Sequence, residues 1–567
     1  MAVSRKKKKN IFPILVVLVI AAALLTAAIL TENRPSREEV NLETYFASRE
    51  GSLAVIRDDV LTHEDFLYSS GVVYTSVSYL QEQLNKRFYY DKEEKLLLYT
   101  VPEGIVRADT ETVYKGNPVL REEGGQIYVL LDYAAQFTAV TWTLYRDPDR
   151  LVMRTRFGER GGIQAVARTA VRQNARVTSP IMTYLEVGET TDYLQEQAEW
   201  NYICTESGIH GYVAKADMAE PITVKDAVPY TDPVFEMVKS DTGLCLVWDQ
   251  IDGTGRAEEH AKMPERIAAT TGVTTISPTW LLIENERGDL TSYADPAYVE
   301  KAHELGLDVW VLLNNMEFAV YGDALTALLS ITSRRSALVE KVVQEVLACG
   351  ADGLNVDIES LPSEAGRGYI QLIRELSLAC HREGLVLSVD NYVPSAWTAH
   401  YDREEQSVFA DYIIVMGYDE HYAGGAEAGS TASLSFVIKG VEDTLKVVPA
   451  SKIIWGVPFY SRLWMGSGDS LTSSSLSMEA EEQLIEEYGL DPIWDSELGQ
   501  YYAEFEIAGK MARVWFEDAE SMEARLSSLQ PYDLAGLAAW RIGQENPAVW
   551  LVFSNYYEAV HDEKSGS

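Results

Sequence analysis

From about residue 240 onward, short apolar runs alternate with amphipathic stretches of helical period. The runs read LCLVW (244–248), VTTIS (273–277), VWVLL (309–313), GLNVD (353–357), LVLSV (385–389), YIIVM (412–416), IIWGV (453–457) and LAGLAAW (534–540). Continuous apolar runs suit parallel strands covered on both faces. Helix signals lie between them. Asp295-Pro296 supplies a capping carboxylate and a ring that fits the first turn, and Gly306 ends that helix. Residues 336–348 keep Leu338, Val342, Val346 and Leu347 near one face before Gly350, and residues 369–380 do the same before Gly384. This alternation predicts a (β/α)8 barrel over 240–560. The interval 458–533 is too long for one helix and predicts an inserted α+β subdomain that includes YYAEFEI and ARVWFED.

Upstream the pattern differs. Residues 11–30, IFPILVVLVIAAALLTAAIL, carry no charge and are long enough to cross ~30 Å of hydrocarbon as a helix. Arg5 and Lys6 to Lys9 precede them, which places 1–10 in the cytoplasm, 11–31 in the membrane as a single-pass signal anchor, and the remainder outside. The alternative is secretion after cleavage of a signal peptide; the length of the run and its lack of a clear A-x-A end favour the anchor. Residues 32–51 read as a polar linker with Pro35. Residues 52–157 are rich in aromatics and carry a faint repeat: a shift of 54 residues lays Val73-Tyr74 on Ile127-Tyr128, Tyr79 on Tyr133 and Phe88 on Trp142. Each half reads as a strand, a short helix (78–85, 132–138) and a hairpin such as RFYYDKEEKLLLYT, a small α+β domain. Residues 164–220 show short, closely spaced strands and predict a small all-β barrel.

Composition narrows the partners. Hydrophobic residues make up 47%, which excludes a mainly disordered chain. The net charge is −38, although the first ten residues are basic. So acidic a body repels phosphate backbones, and no nucleic-acid partner is expected. The four cysteines form no CxxC and the eight histidines no HExxH, so neither a metal nor another cofactor is expected.

The chemistry concentrates in Asp352-Gly353-Leu354-Asn355-Val356-Asp357-Ile358-Glu359. Side chains alternate along a strand, so Asn355, Asp357 and Glu359 share one face, and Leu354, Val356 and Ile358 the other. In a barrel the polar set faces inward and climbs to the C-terminal mouth. Crowding and burial raise the pKa of one carboxyl and let it act as an acid. Glu359, nearest the mouth, is the natural proton donor.

This stretch resembles the DxxDxDxE signature of family-18 glycoside hydrolases, the chitinase-like family. Met416-Gly417-Tyr418-Asp419 resembles the family's M-x-Y-D after strand six, Trp455 to Tyr460 its strand-seven pattern, and Trp540 its strand-eight tryptophan. The resemblance covers about 240–560, and its style is similar to that of bacterial spore-cortex and cell-wall N-acetylglucosaminidases. It implies a retaining, substrate-assisted hydrolase of β-1,4 glycans containing N-acetylglucosamine, either peptidoglycan or a chitin-like polymer. Glu359 is then acid and base, Asp357 steadies the substrate's acetamido group, and Tyr418 donates to that group's carbonyl. Met416, Asp419 and Trp540 shape the −1 sugar site, while Asp249, Trp280, Asn391 and Tyr392 are further candidates for glycan contact. Asn355 departs from the family's second acid: an amide can bond to Asp357 but exchanges no proton with it. Ser360 stands where an aromatic often follows the glutamate. The alternative on the same fold is a catalytically silent glycan-binding or wall-assembly protein. Residues 52–157 resemble the repeat domain named after the N-terminal domain of copper amine oxidases, with no copper implied. Residues 164–220 resemble bacterial SH3-like domains, which implies a wall peptide as a further partner.

Overall fold

The computed structural model describes residues 16–22, 34–47, 53–62, 66–69, 71–238, 243–251 and 256–566. They form two compact units, 1–88 with 108–232, and 89–107 with 233–567. Of the 11–31 segment, 16–22 is helical and the rest lies outside the described residues. Among the described residues no helix is long and apolar enough to cross a membrane.

In the first unit a seven-stranded sheet runs in the order 181–185, 169–172, 210–214, 200–204, 190–197, 159–164, 222–225, with every pairing antiparallel. Its buried face holds Ile163, Val171, Leu185, Ile203 and Val213. Two four-stranded sheets contain 54–57, 60–62, 141–145 and 150–154 in one, and 66–69, 72–76, 120–123 and 126–130 in the other. The hairpin expected around RFYYDKEEKLLLYT forms, with Tyr89–Asp91 antiparallel to Leu96–Val101. Residues 89–107, inside the segment read above as one α+β domain, belong to the second unit. The Tyr89 hydroxyl donates to Ser330 O at 2.9 Å, and Asp91 accepts from Thr332 N at the start of a helix.

The second unit is built on eight parallel strands: β1 Leu244–Asp249, β2 Thr275–Pro278, β3 Asp308–Asn314, β4 Gly353–Asp357, β5 Val386–Tyr392, β6 Tyr412–Met416, β7 Ile453–Pro458 and β8 Gly536–Trp540. Neighbours pair in parallel all the way round, with β1 joined to β8 and β2 to β3, so the sheet closes on itself. All eight apolar runs are barrel strands. Helices α1 Arg256–Ala268, α2 Pro296–Glu304, α3 Thr332–Cys349, α4 Gly366–Arg382, α5 Arg403–Phe409, α6 Leu434–Leu445, α7 Ala519–Leu529 and α8 Val549–Gly566 connect or follow them. The Asp295 carboxylate caps α2 by accepting from Ala297 N. Gly350 ends α3 at φ 78°, a conformation that costs a residue with a Cβ.

The strands separate two apolar zones. Leu244, Leu246, Trp248, Trp310, Leu312, Tyr412, Ile414 and Ile454 fill the barrel interior. The opposite faces, such as Val309, Val311, Leu354, Val356, Val389 and Val415, pack in the larger cluster that includes the helices. Between β7 and β8 the chain forms a five-stranded antiparallel sheet, ordered 472–477, 460–465, 510–516, 500–507, 493–495, with the helix Met478–Tyr488. YYAEFEI lies on the strand 500–507, and ARVWF of ARVWFED on the strand 510–516.

Candidate active site

The inward parity of β4 carries Gly353, Asn355 and Asp357, and the chain reaches Glu359 two residues beyond the strand. Asn355 is fully buried at the centre of a polar network. Its Oδ1 accepts from Trp248 Nε1 (2.9 Å) and Ser277 Oγ (3.1 Å). Its Nδ2 donates to Ser388 Oγ (3.1 Å) and to Asp390 Oδ1 (2.7 Å). Both donors and both acceptor positions of the amide are therefore taken, by β1, β2 and β5. The expected bond from Asn355 to Asp357 is not among them. Asp357 Oδ1 is buried and finds no hydrogen-bond partner among the described residues.

Burial and neighbouring negative charge raise all three carboxyls of the cluster. Burial pushes the Asp357 pKa well above the usual aspartate range, and the charges of Glu359 and Asp390 add to it. Glu359 is raised chiefly by burial; a hydrogen bond from the Tyr392 hydroxyl to its Oε2 opposes the rise, and the charge of Asp419 supports it. Asp390 is pushed up to about 8, first by burial. The Glu359 main chain is clamped by one side chain: Asn315 Oδ1 accepts from Glu359 N at 2.9 Å, and Asn315 Nδ2 donates to Glu359 O at 3.0 Å.

Tyr418 follows β6, where burial raises its pKa well above the tyrosine value, and the charges of Asp390, Asp357 and Glu359 reach it. Gly417 makes that approach possible, since a Cβ there would lie 2.3 Å from Trp455 Nε1 on β7. Asp419 accepts from the Tyr460 hydroxyl and from Arg462, each at 2.7 Å, on the first strand of the inserted sheet. Trp540 ends β8 with its ring centroid 5.8 Å from that of Trp248. Met416 ends β6, half-buried and of the same parity as Ile414 in the barrel interior.

The structure thus gathers Asn355, Asp357, Glu359, Tyr392, Met416, Tyr418, Asp419 and Trp540 at the C-terminal mouth. Three further candidates lie elsewhere. Asn391 has the outward parity of β5, where its amide exchanges hydrogen bonds with Gln406 of α5 (2.7 and 3.0 Å). Trp280 is fully buried between the barrel and its helices, donating to His260 of α1 at 3.2 Å and packing on Tyr298 of α2. Asp249 is also outward and fully buried, bound by Arg266 (2.8 Å) and the Tyr298 hydroxyl (2.7 Å). These three hold helices onto the barrel. Asp390, Trp248, Ser388 and Asn315 were not among the expected site residues. On β5 the residues facing in are Ser388, Asp390 and Tyr392, so the alternation that picks out Asn355 and Asp357 on β4 also picks out Asp390.

Comparison with known proteins bears on the barrel as a whole. Residues 271–545 match the model of the glycosyl hydrolases family 18. The uncharacterized glycosylase YvbX of Bacillus subtilis (strain 168) is 23% identical over 275 residues, which cover 47% of this chain and 79% of that protein. The cortical fragment-lytic enzyme of the same organism is 23% identical over 260 residues, 44% of this chain and 60% of that protein. The crystal structure of the spore cortex-lytic enzyme SleL of Bacillus megaterium QM B1551 shares the fold, with a TM-score of 0.50 and 18% identity over 58% of this chain and 79% of that one. Residues 271–545 thus resemble a glycosyl hydrolase family 18 domain, and the chain is a glycoside hydrolase.

Proposed function

We propose that the chain is a retaining, substrate-assisted hydrolase of β-1,4 glycans containing N-acetylglucosamine, with peptidoglycan as the favoured substrate. The observation that carries this is the placement of the acids. Glu359 and Asp357 rise from the end of one strand and reach a bound sugar from the same side. A retaining enzyme with its own nucleophile needs a second carboxylate across the scissile bond. Here the 2-acetamido oxygen of the −1 sugar attacks the anomeric carbon while Glu359 gives its proton to the leaving oxygen. The result is an oxazolinium ion, which Glu359 then helps water to open. Asp357, whose Oδ1 is unpaired, takes the acetamido N–H and offsets the developing positive charge. Tyr418 donates to the acetamido oxygen, and Trp540 underlies the sugar ring.

Peptidoglycan is favoured by the likeness to a cortical fragment-lytic enzyme and by the upstream modules, for which an SH3-like domain binding wall peptide and a copper-amine-oxidase-N-like domain are our reading. A single-pass anchor at 11–31, with the barrel outside the cell, places the enzyme at that substrate. Protease added to intact cells then removes the barrel while a cytosolic control survives; equal protection of both would refute the topology. The activity is tested by mass spectrometry of products from purified peptidoglycan and from N-acetylated and fully deacetylated glucosamine oligomers. N-acetylated chains are cut, deacetylated ones are not, and a thiazoline mimic of the intermediate inhibits. Efficient cleavage of deacetylated oligomers refutes substrate assistance, and binding without turnover refutes the hydrolase reading.

A further inference from the structure

Glu359 stands where the strand ladders have already stopped. The pairing of β3 with β4 ends at Asn314 opposite Asp357, and that of β4 with β5 at Val356 opposite Val389. Peptide groups beyond those points need other partners, because a buried N–H or C=O left unpaired is costly. Side chains supply them. Asn315, just past the end of β3, is fully buried; its Oδ1 accepts from Glu359 N at 2.9 Å, and its Nδ2 donates to Glu359 O at 3.0 Å. Nδ2 also donates to Val320 O at 2.9 Å, and Val320 N donates to Asn315 O at 3.0 Å, so the loop 315–320 closes on the residue that holds Glu359. On the other side, the buried Tyr401 hydroxyl accepts from Leu361 N and donates to Ile358 O, each at 3.2 Å. Between these contacts Ser360 sits at φ 53°, a left-handed conformation disfavoured for a residue with a Cβ. Such a backbone persists where its surroundings over-determine it.

We propose that Asn315 is a positioning residue of the reaction: its side-chain amide stands in for the next rung of the β3–β4 ladder and, with the Tyr401 hydroxyl, fixes the main chain that carries Glu359. This rests on the reading of Glu359 as the proton donor. A side-chain amide carries the same donor and acceptor as a peptide group, so one asparagine replaces the strand partner that Glu359 lacks. Proton transfer to the leaving oxygen needs the two heavy atoms within about 2.6–3.2 Å, and a misplacement of about 1 Å can cost ~10²-fold in rate. Asn315 and Tyr401 act on that distance through the backbone of 358–361, without touching the sugar.

The test measures Asn315→Ala and Tyr401→Phe in the full chain on N-acetylglucosamine oligomers, with kcat expressed per site that binds the thiazoline mimic. In Asn315→Ala kcat per site falls by ~10²-fold, and in Tyr401→Phe by a smaller factor, while KM is unchanged. Tyr369→Phe is the control: its ring packs on Tyr401 with centroids 5.6 Å apart, but its buried hydroxyl has no hydrogen-bond partner among the described residues, so kcat stays at the wild-type value. A merely structural role would lower the melting temperature and the number of binding sites but leave kcat per site intact, and that result overturns the proposal. Should Asn315→Ala not fold, Tyr401→Phe, whose ring is kept in place by Tyr369 and Tyr392, must show the same split between kcat and KM. A readout without substrate separates this inference from the proposed function. Hydrogen exchange at the Glu359 amide, followed by mass spectrometry at residue resolution, is about tenfold faster in Asn315→Ala, as is exchange at Leu361 in Tyr401→Phe. Unchanged exchange overturns the inference. Failure of the wild type to cut any N-acetylated glycan overturns the functional reading alone.

Discussion

Tyr392→Phe isolates the hydrogen bond that tunes the catalytic acid. The Tyr392 hydroxyl donates to Glu359 Oε2, and this favours the carboxylate over the acid. Removing the hydroxyl removes support from the charged form only, so the Glu359 pKa rises. A hydrogen bond to a charged group contributes about 1.5–3 kcal/mol, and one pKa unit corresponds to about 1.36 kcal/mol. Glu359 is half-buried, so water replaces part of the lost bond, and the expected shift is about one unit upward. The ring stays in place, because Tyr392 packs on Trp397 and Tyr401 with centroids 5.2 and 5.9 Å away. Wild-type and variant pH–rate profiles on an N-acetylglucosamine oligomer measure the effect. The alkaline limb of kcat/KM extends to higher pH. An unmoved or lowered limb would refute the hydrogen bond's role.

Glu359→Gln keeps the shape and removes the proton; turnover falls by ~10²–10⁴-fold or more while binding of the glycan, read by calorimetry, is retained. Gly417→Ala puts a Cβ against the Trp455 ring and Gly456 O, with contacts of 2.3 to 2.6 Å. It costs about 1–3 kcal/mol in thermal or urea denaturation, and activity falls further because Tyr418 is displaced. Trp280→Phe removes a bond to His260 and leaves a cavity outside the barrel wall. Stability drops by about 1–3 kcal/mol while KM is unchanged, and a raised KM would restore Trp280 to the sugar site.

The barrel was legible because its strands are buried twice over. Leu354 and Val356 meet helices while Asn355 and Asp357 meet the interior, so each strand stands out as an unbroken run between amphipathic segments. The Asp295-Pro296 start and the Gly350 stop are local chemistry and need no tertiary information. The grouping of 89–107 with the second unit was not legible. That sheet reads as an ordinary hairpin, and its attachment through Tyr89 and Asp91 to the start of α3 depends on residues about 240 positions away.

The site shows where strand periodicity stops being informative. Period two sorts residues into two sets but does not say which set faces in. On β4 and just beyond it, Asn355, Asp357 and Glu359 share one parity and settle the question. On β1 the polar residue is a single Asp249, and on β5 Asp390 and Asn391 compete as neighbours. Position at the strand end favoured Asp249 and Asn391, yet both serve the outer layer, where Arg266 and Gln406 wait on helices. The parity of β5 follows only from its register with β4, in which Asn355 stands opposite Ser388. That pairing sets Ser388 and Asp390 on the side of Asn355 and sends Asn391 to α5. An amide at position 355 reads in isolation as the loss of an acid. In the assembled barrel it is a fully bonded bridge to a carboxyl on the next strand, and cross-strand register, which no single segment encodes, makes that difference.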